Sequence, residues 1–236
     1  ALNAYDPGSV WKIVTALAGM ESGKFPSNTQ LQTLPCIVYG SQCFREHNDA
    51  GFGLIGYEDA LRVSSNTFFY QIGYGVGVDE INRISKILGF TKLSGIEIGG
   101  QEDRGLIASS EWAKNGRGWG KPGQTPWLPE DIASMSIGQM VVQTTPMQIA
   151  RAYAVIANGG YLVTPHLSKL GKENKSYKQP IKVDIDPKHL HVIRNGLSKV
   201  VQSGTGVSIN YGSYNFPPIS GKTGTAEDAL GGPDHA

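Results

Sequence analysis

Ser9 is the sole serine in the sequence with a lysine three residues later, within Tyr5-Asp6-Pro7-Gly8-Ser9-Val10-Trp11-Lys12. Pro7-Gly8 is a turn signal, and Trp11, Ile13, Val14, Leu17 and Met20 then recur at helical spacing. The pattern predicts Ser9 at or just inside a helix N-terminus, with Lys12 one turn on and on the same face. A serine hydroxyl is a poor nucleophile until a neighbouring base takes its proton. A lysine serves as that base once burial or positive neighbours lower its pKa. The free N–H groups and positive dipole end of the helix suit a developing oxyanion. The bland alternative is an N-cap serine beside a solvated lysine.

Two further short motifs follow in order. Ser64-Ser65-Asn66 is a Ser-x-Asn, and Lys222-Thr223-Gly224 lies near the end. Ser-x-Asn is weak alone, because it recurs at Ser208-Ile209-Asn210 and Ser213-Tyr214-Asn215. Only the copy at Ser64 lies between the other two motifs, with a predicted helix before it and an apolar segment after it. The histidines (47, 166, 189, 191 and 235) form no convincing triad with any serine.

The elements that must position these residues are mostly helical. Tyr57 to Val63 reads as a short helix, and Thr67 to Gly73 is apolar enough to be buried. Val78 to Leu88 is amphipathic, with Ile81, Ile84, Ile87 and Leu88 on one stripe and Gly89 as its C′ residue. Thr145-Pro146 is an N-cap and N1 proline for a helix ending at Ala157, before Asn158-Gly159-Gly160. Asp186-Pro187 opens another that stops near Gly204. Ile219 to Ala226 reads as a short strand whose glycines permit close approach by a backbone or a ligand. Residues 26–56 show little periodicity and read as a loop insertion. Residues 94–130 carry Trp112, Trp119 and Trp127, read as anchors of a packed loop rather than a groove wall. Helices with few strands predict an α+β fold rather than a βαβ array.

Composition removes several function classes. At 236 residues and 39% hydrophobic content the chain is long and apolar enough for a real core. A net charge of +1 gives no electrostatic case for binding nucleic acid or an anionic membrane surface. No run of about 18 apolar residues provides a membrane span. Cys36, Cys43, His47 and Asp49 form C-x6-C-x3-H-x-D, which is not a standard zinc spacing. A Cys36–Cys43 disulfide, free thiols and a structural zinc all remain open, the first two preferred.

The ordered trio Ser9-x-x-Lys12, Ser64-x-Asn66 and Lys222-Thr223-Gly224 is the signature of penicillin-binding proteins and class A β-lactamases. The chain resembles the transpeptidase domain of class B penicillin-binding proteins, most of all the penicillin-binding protein 2 family that serves cell elongation. The stretches YDPGSVWK, VSSNTFFYQIG, LGFTKLSGIEIGG, SSEWAKN, SIGQMVVQTTPMQIARAYAVIANGG and SGKTGTAE carry the resemblance from end to end. It implies a helical subdomain packed on an antiparallel sheet. In the family strands precede the nucleophile helix and follow the Lys-Thr-Gly strand, so residues 1–236 would be a transpeptidase domain truncated at both ends.

The resemblance also implies roles. Ser9 would attack the carbonyl between two D-alanines of a peptidoglycan stem peptide, with Lys12 as general base. Ser64 would relay a proton to the leaving amine. Asn66 would orient Lys12 and hold the substrate amide, and Lys222 would keep the field positive. Thr223 and Thr225 would hold the terminal carboxylate, and Gly224 would leave room for the substrate. The backbone N–H groups of Ser9 and Thr225 would form the oxyanion hole. β-Lactams would acylate Ser9. A β-lactamase, or a catalytically incomplete β-lactam-binding scaffold, is the alternative. Glu111 follows Ser109-Ser110 and resembles the EWK stretch of class B proteins, so it is read as structural rather than as a deacylating base. Some penicillin-binding protein 2 members bind zinc in the region of Cys36 to Asp49; beyond that, no cofactor is implied. The implied partners are stem peptides, β-lactams and a glycan-polymerising membrane protein. The implied location is the outer, periplasmic face of the bacterial plasma membrane, through an anchor absent from these residues.

Overall fold

The computed structural model describes residues 2–97, 100–114, 127–167, 178–210 and 217–225. Trp119 and Ala226 lie outside them. The turn at Gly8–Trp11 is a short 3-10 helix that runs directly into α1, Lys12–Glu21. Every residue from Lys12 to Met20 is buried. A helix that is apolar on all sides belongs inside a core, and Ile13-Val14-Thr15-Ala16-Leu17-Ala18-Gly19-Met20 is such a sequence. The α1 helix is therefore the central rod, wrapped by the other helices.

Residues 26–56 are not a loop. They hold β1 (Gln30–Thr33), β2 (Cys36–Tyr39), β3 (Gln42–Arg45) and β4 (Gly53–Gly56). β1 pairs with β4, and β2 with β3, both antiparallel. The strands are four residues each and mostly half-exposed, too short for a clear alternation. One signal was present: Gly40-Ser41 is the two-residue turn of the β2–β3 hairpin, with Gly40 at φ +62.

Three helices follow: α2 (Tyr57–Arg62), α3 (Asn66–Val76) and α4 (Val78–Ile87). The amphipathic stripe of α4 is as expected, with Ile81 and Ile84 fully buried. The chain continues through β5 (Leu106–Ile107), α5 (Ser110–Lys114), α6 (Pro129–Ser136) and β6 (Val142–Gln143). Trp112 and Trp127 pack 6.3 Å apart in this region. α7 (Pro146–Ala157) begins with the expected cap, where Gln148 N donates to Thr145 Oγ1 at 3.1 Å and Thr145 N donates to Gln148 Oε1 at 3.0 Å. β7 (Tyr161–Leu162), β8 (Ile181–Lys182) and α8 (Pro187–Ser203) come next, with Asp186 capping α8, and a short 3-10 helix at Val207–Asn210 follows.

Among the described residues, the antiparallel pairing consists of four separate two-stranded pairs flanking the helical body. A strand was expected over Ile219 to Ala226, and the described residues here are 217–225. They run without a ladder; their one backbone bond to the helical body joins Gly221 N to Leu197 O at 3.2 Å. A strand needs a partner, and no described strand lies beside them.

Packing under the site is tight. An added Cβ at Gly73 on α3 would collide with the Ser136 hydroxyl on α6. That hydroxyl is held by Ile132 O at 2.6 Å, and Thr15 Oγ1 on α1 donates to Ser136 O at 2.8 Å. Gly73→Ala is expected to cost about 1–3 kcal/mol through this overpacking. It should appear as a lower urea midpoint with an unchanged slope; a midpoint at or above wild type would show that the α3–α6 contact has slack.

Candidate active site

The turn that carries Ser9 is gripped from behind. Tyr5 and Thr144 exchange backbone hydrogen bonds at 3.0 and 2.9 Å. Met140 N donates to Asp6 Oδ2 at 2.9 Å, and Gly8 N to Gly138 O at 2.9 Å. Gly138 sits at φ +79, where a Cβ would lie 2.5 Å from Gly8 O, so neither backbone nor space admits another residue. The buried Tyr153 hydroxyl donates to Val10 O at 3.0 Å. Ser9 is thereby presented half-buried on a fixed turn.

Lys12 points into the core and is fully buried. Its ammonium donates to Ser64 O at 2.7 Å, to Asn66 Oδ1 at 2.7 Å and to Ser64 Oγ at 3.3 Å. The Phe69 ring lies 5.7 Å away. Among the described residues the Ser9 hydroxyl makes no hydrogen bond, Lys12 being engaged by Ser64 and Asn66. Such contacts commonly tighten only when substrate arrives.

Ser64 owes its position to a helix end. Ser65 N donates to Ala60 O at 2.9 Å and Ser64 N to Leu61 O at 3.1 Å, the two bonds of a Schellman motif closing α2. Ser64 takes the left-handed position that glycine usually fills, at φ +57. Strain of this kind, of order 1 kcal/mol, concentrates at functional sites. Ser65 then caps α3, accepting from Phe68 N at 3.2 Å, so Asn66 begins α3.

Lys222 closes the cluster. Its ammonium donates to Ser64 Oγ at 2.8 Å and to Thr223 O at 2.9 Å. The Ser64 hydroxyl thus lies between two lysines. Thr223 Oγ1 meets Thr205 Oγ1 at 2.6 Å, while Thr225 is exposed. A Cβ at Gly224 would come within 2.9 Å of Val10 Cγ1 and 3.4 Å of Pro7 O. The glycine therefore admits the Ser9 turn itself, the close approach of a backbone that its sequence setting had allowed.

Burial, and then the Lys222 charge, hold Lys12 well below the usual lysine range, while Glu46 pulls the other way. Burial brings Lys222 down to about 7. Lys222 can therefore exchange a proton with Ser64 near neutral pH, and Lys12 holds its own more loosely than an ordinary lysine does.

The sequence-predicted residues Ser9, Lys12, Ser64, Asn66, Lys222, Thr223 and Gly224 gather in one place. The candidate zinc ligands do not. Cys36 and Cys43 are joined as a disulfide across the β2–β3 hairpin. Asp49 pairs with Arg45 at 3.2 Å, and His47 contacts Glu46 and the Phe52 ring. Both sulfurs are spent, and no group of three metal-ligating side chains forms among the described residues. Glu111 is exposed on α5, where Asp79 accepts from the neighbouring Ser110. Sequence reasoning missed Glu46, Gly138, Tyr153 and Thr205, all brought to the site from distant parts of the chain.

The penicillin binding protein transpeptidase domain family matches residues 2–235. The chain belongs to that family. Peptidoglycan D,D-transpeptidase MrdA of Acinetobacter baumannii is 30% identical over 232 residues, covering 94% of this chain and 33% of that protein. The MrdA of Haemophilus influenzae is likewise 30% identical, with 35% of its length covered. This chain thus spans about a third of the curated relatives it matches. Penicillin-binding protein 2 of Pseudomonas aeruginosa, solved with WCK 5153, superposes with a TM-score of 0.82 at 28% identity, over 95% of this chain and 50% of that one. A component of a peptidoglycan synthase complex that coordinates polymerization and crosslinking gives 0.82 at 34% identity, over 97% of this chain and 38% of that one. The penicillin-binding protein transpeptidase fold is therefore shared.

Two outcomes follow. The unfolded chain carries Lys222 protonated up to an ordinary value of 10.5, the folded chain only up to about 7. The unfolded state binds more protons between these values, so this lysine makes stability rise with pH across that window. Lys222→Met should flatten the rise in urea unfolding between pH 7 and 9; an unchanged slope would refute the low proton affinity. Reducing the Cys36–Cys43 bridge should cost about 2–3 kcal/mol for so short a loop, while a chelator changes nothing. Destabilisation by the chelator would reinstate a metal.

Proposed function

We propose that this chain is the catalytic part of a serine D,D-transpeptidase that cross-links peptidoglycan stem peptides and is acylated by β-lactams. The observation that carries this reading is the convergence of Lys12 and Lys222 on the Ser64 hydroxyl, in a member of the transpeptidase family. Lys12 is the general base. In its neutral form it takes the Ser9 proton as Ser9 Oγ attacks the carbonyl carbon between the two D-alanines. The backbone N–H groups of Ser9 and Thr225 meet the oxyanion. As the C–N bond breaks, Ser64 passes a proton from the lysines to the leaving amine, and D-alanine departs. The amine of a second stem peptide then attacks the Ser9 ester and releases the cross-linked product. Asn66 orients Lys12 and the substrate, and Thr223 with Thr225 holds the terminal carboxylate.

The same reading places the protein on the outer face of the bacterial plasma membrane, with its anchor and a glycan-polymerising membrane partner lying beyond these residues. Support for the partner comes from the similar chain seen in a synthase complex for polymerization and crosslinking. No described helix is long and apolar enough to cross a membrane.

Incubation with a penicillin, followed by intact mass, tests the reading. A stable adduct is expected on the wild type and none on Ser9→Ala. The acylation rate should rise with pH as Lys12 loses its proton. An adduct that forms and vanishes within seconds would indicate a β-lactamase instead, and no adduct in the full-length protein would leave a scaffold.

A further inference from the structure

A carboxylate with no exposure to water lies behind the Ser64–Asn66 stretch. Glu46 follows β3, at the base of the hairpin closed by the Cys36–Cys43 disulfide. Its backbone N donates to Pro35 O at 2.9 Å, which closes the hairpin base. Its side chain is 0% exposed. Burying a charge is costly unless each lone pair is met, and here they are saturated. Oε1 accepts from Asn66 N at 2.7 Å and from His47 N at 3.1 Å, with His47 Nδ1 also at 3.1 Å. Oε2 accepts from Ser65 Oγ at 2.6 Å, Thr67 Oγ1 at 2.9 Å and Thr67 N at 3.1 Å.

Four of these six donors belong to the start of α3. The helix already has an N-cap in Ser65, so Glu46 adds the first two free N–H groups, those of Asn66 and Thr67. The same hairpin also touches the Asn66 side chain: Asn66 Nδ2 donates to Arg45 O at 3.5 Å. With the amide nitrogen turned to the hairpin, the amide oxygen faces Lys12.

We propose that Glu46 is a positioning residue for the acylation chemistry: it fixes the backbone of Ser65, Asn66 and Thr67 so that Asn66 and Ser64 hold Lys12, and it sets the charge that faces Lys12. The inference rests on the transpeptidase reading above. The Lys12 ammonium is faced by two charges, Lys222 from the 217–225 segment and Glu46 from the hairpin. Glu46 is faced by His47 beside it and by Lys12 across from α1. Burial would raise the Glu46 carboxyl, yet the hydrogen bonds from His47, Ser65, Asn66 and Thr67 bring it down to about 2. It is therefore negative wherever the enzyme works. Neutralising it removes the one favourable charge that the described residues place on protonated Lys12, so Lys12 loses its proton more readily.

The test compares wild type, Glu46→Gln and Glu46→Asp in the full-length protein. Penicillin acylation of Ser9 is followed by mass across pH, and amide hydrogen exchange is followed at Asn66 and Thr67. The carboxamide keeps the shape but turns one acceptor into a donor, so one of those two N–H groups loses its partner. Glu46→Gln is expected to acylate about 10–100-fold more slowly at its optimum. Its rising limb should move to lower pH, and exchange at Asn66 and Thr67 should be about tenfold faster or more. Glu46→Asp keeps the charge, so the limb should stay in place while the rate recovers in part. Acylation within twofold of wild type would overturn the proposal. So would a slower rate without both the shifted limb and the faster exchange. Should Glu46→Gln fail to fold, Glu46→Asp carries the test: slowed acylation with an unmoved limb supports the role, and the wild-type rate overturns it. Should the wild type itself not be acylated, the transpeptidase reading fails, and the exchange measurement still decides what Glu46 positions.

Discussion

An ammonium group shut away from water has to find its acceptors inside the protein, and Lys12 finds them on one stretch, Ser64 to Asn66. Two of its hydrogen bonds are 2.7 Å long, one to a backbone carbonyl and one to an amide oxygen. Neither acceptor is charged, and the opposing carboxylate of Glu46 lies behind Asn66. The ammonium is therefore solvated by dipoles without being neutralised, and this leaves its proton loosely held. A direct carboxylate partner would have satisfied Lys12 equally well and pinned the proton to it. The difference between a structural lysine and a chemical one lies in this choice of acceptor.

The surrounding architecture follows from supplying that stretch in the right conformation. Ser64 must turn its carbonyl and hydroxyl toward α1 together, and the left-handed end of α2 does this at some cost in strain. The Ser65 cap and the Glu46 carboxylate then absorb the free N–H groups at the start of α3. The backbone is over-determined from three sides, which is what a strained conformation requires in order to persist. On the other side, Gly138 and Tyr153 hold the Ser9 turn, and Gly224 lets the third motif close over it. Glycine appears at both contacts because two backbones meet there with no space for a side chain between them.

The hairpin at residues 36–45 joins a covalent constraint to this arrangement. Its disulfide lies away from the lysines, but its base carries Glu46 and Arg45, which grip Asn66 at backbone and side chain. A segment with no periodicity to mark it thus ends at a fully buried, hydrogen-bonded carboxylate. The two cysteines are the conspicuous residues of this segment, whereas Glu46, between Arg45 and His47, is the one that reaches the site.

Much was legible in the residues alone. The helices from Val78, Thr145-Pro146 and Asp186-Pro187 announce themselves because caps and apolar stripes act over three or four residues. The burial of α1 follows from its composition, and the three motifs by their order marked Ser9, Lys12, Ser64, Asn66 and Lys222. The strands within 26–56 were not legible, being too short and too polar to alternate. Ile219 to Ala226 read as a strand, because glycine and threonine in an extended stretch look alike with or without a partner. Contacts across the fold were beyond any local pattern: Lys222 meets Ser64 across 158 positions, Glu46 meets Asn66 across 20, and Tyr153 meets Val10 across 143. Sequence determined which groups could do chemistry, since that depends on residue type and near spacing. Tertiary structure decided which of them share a proton and which carboxylate stands behind them, since burial and distance are properties of the packed chain.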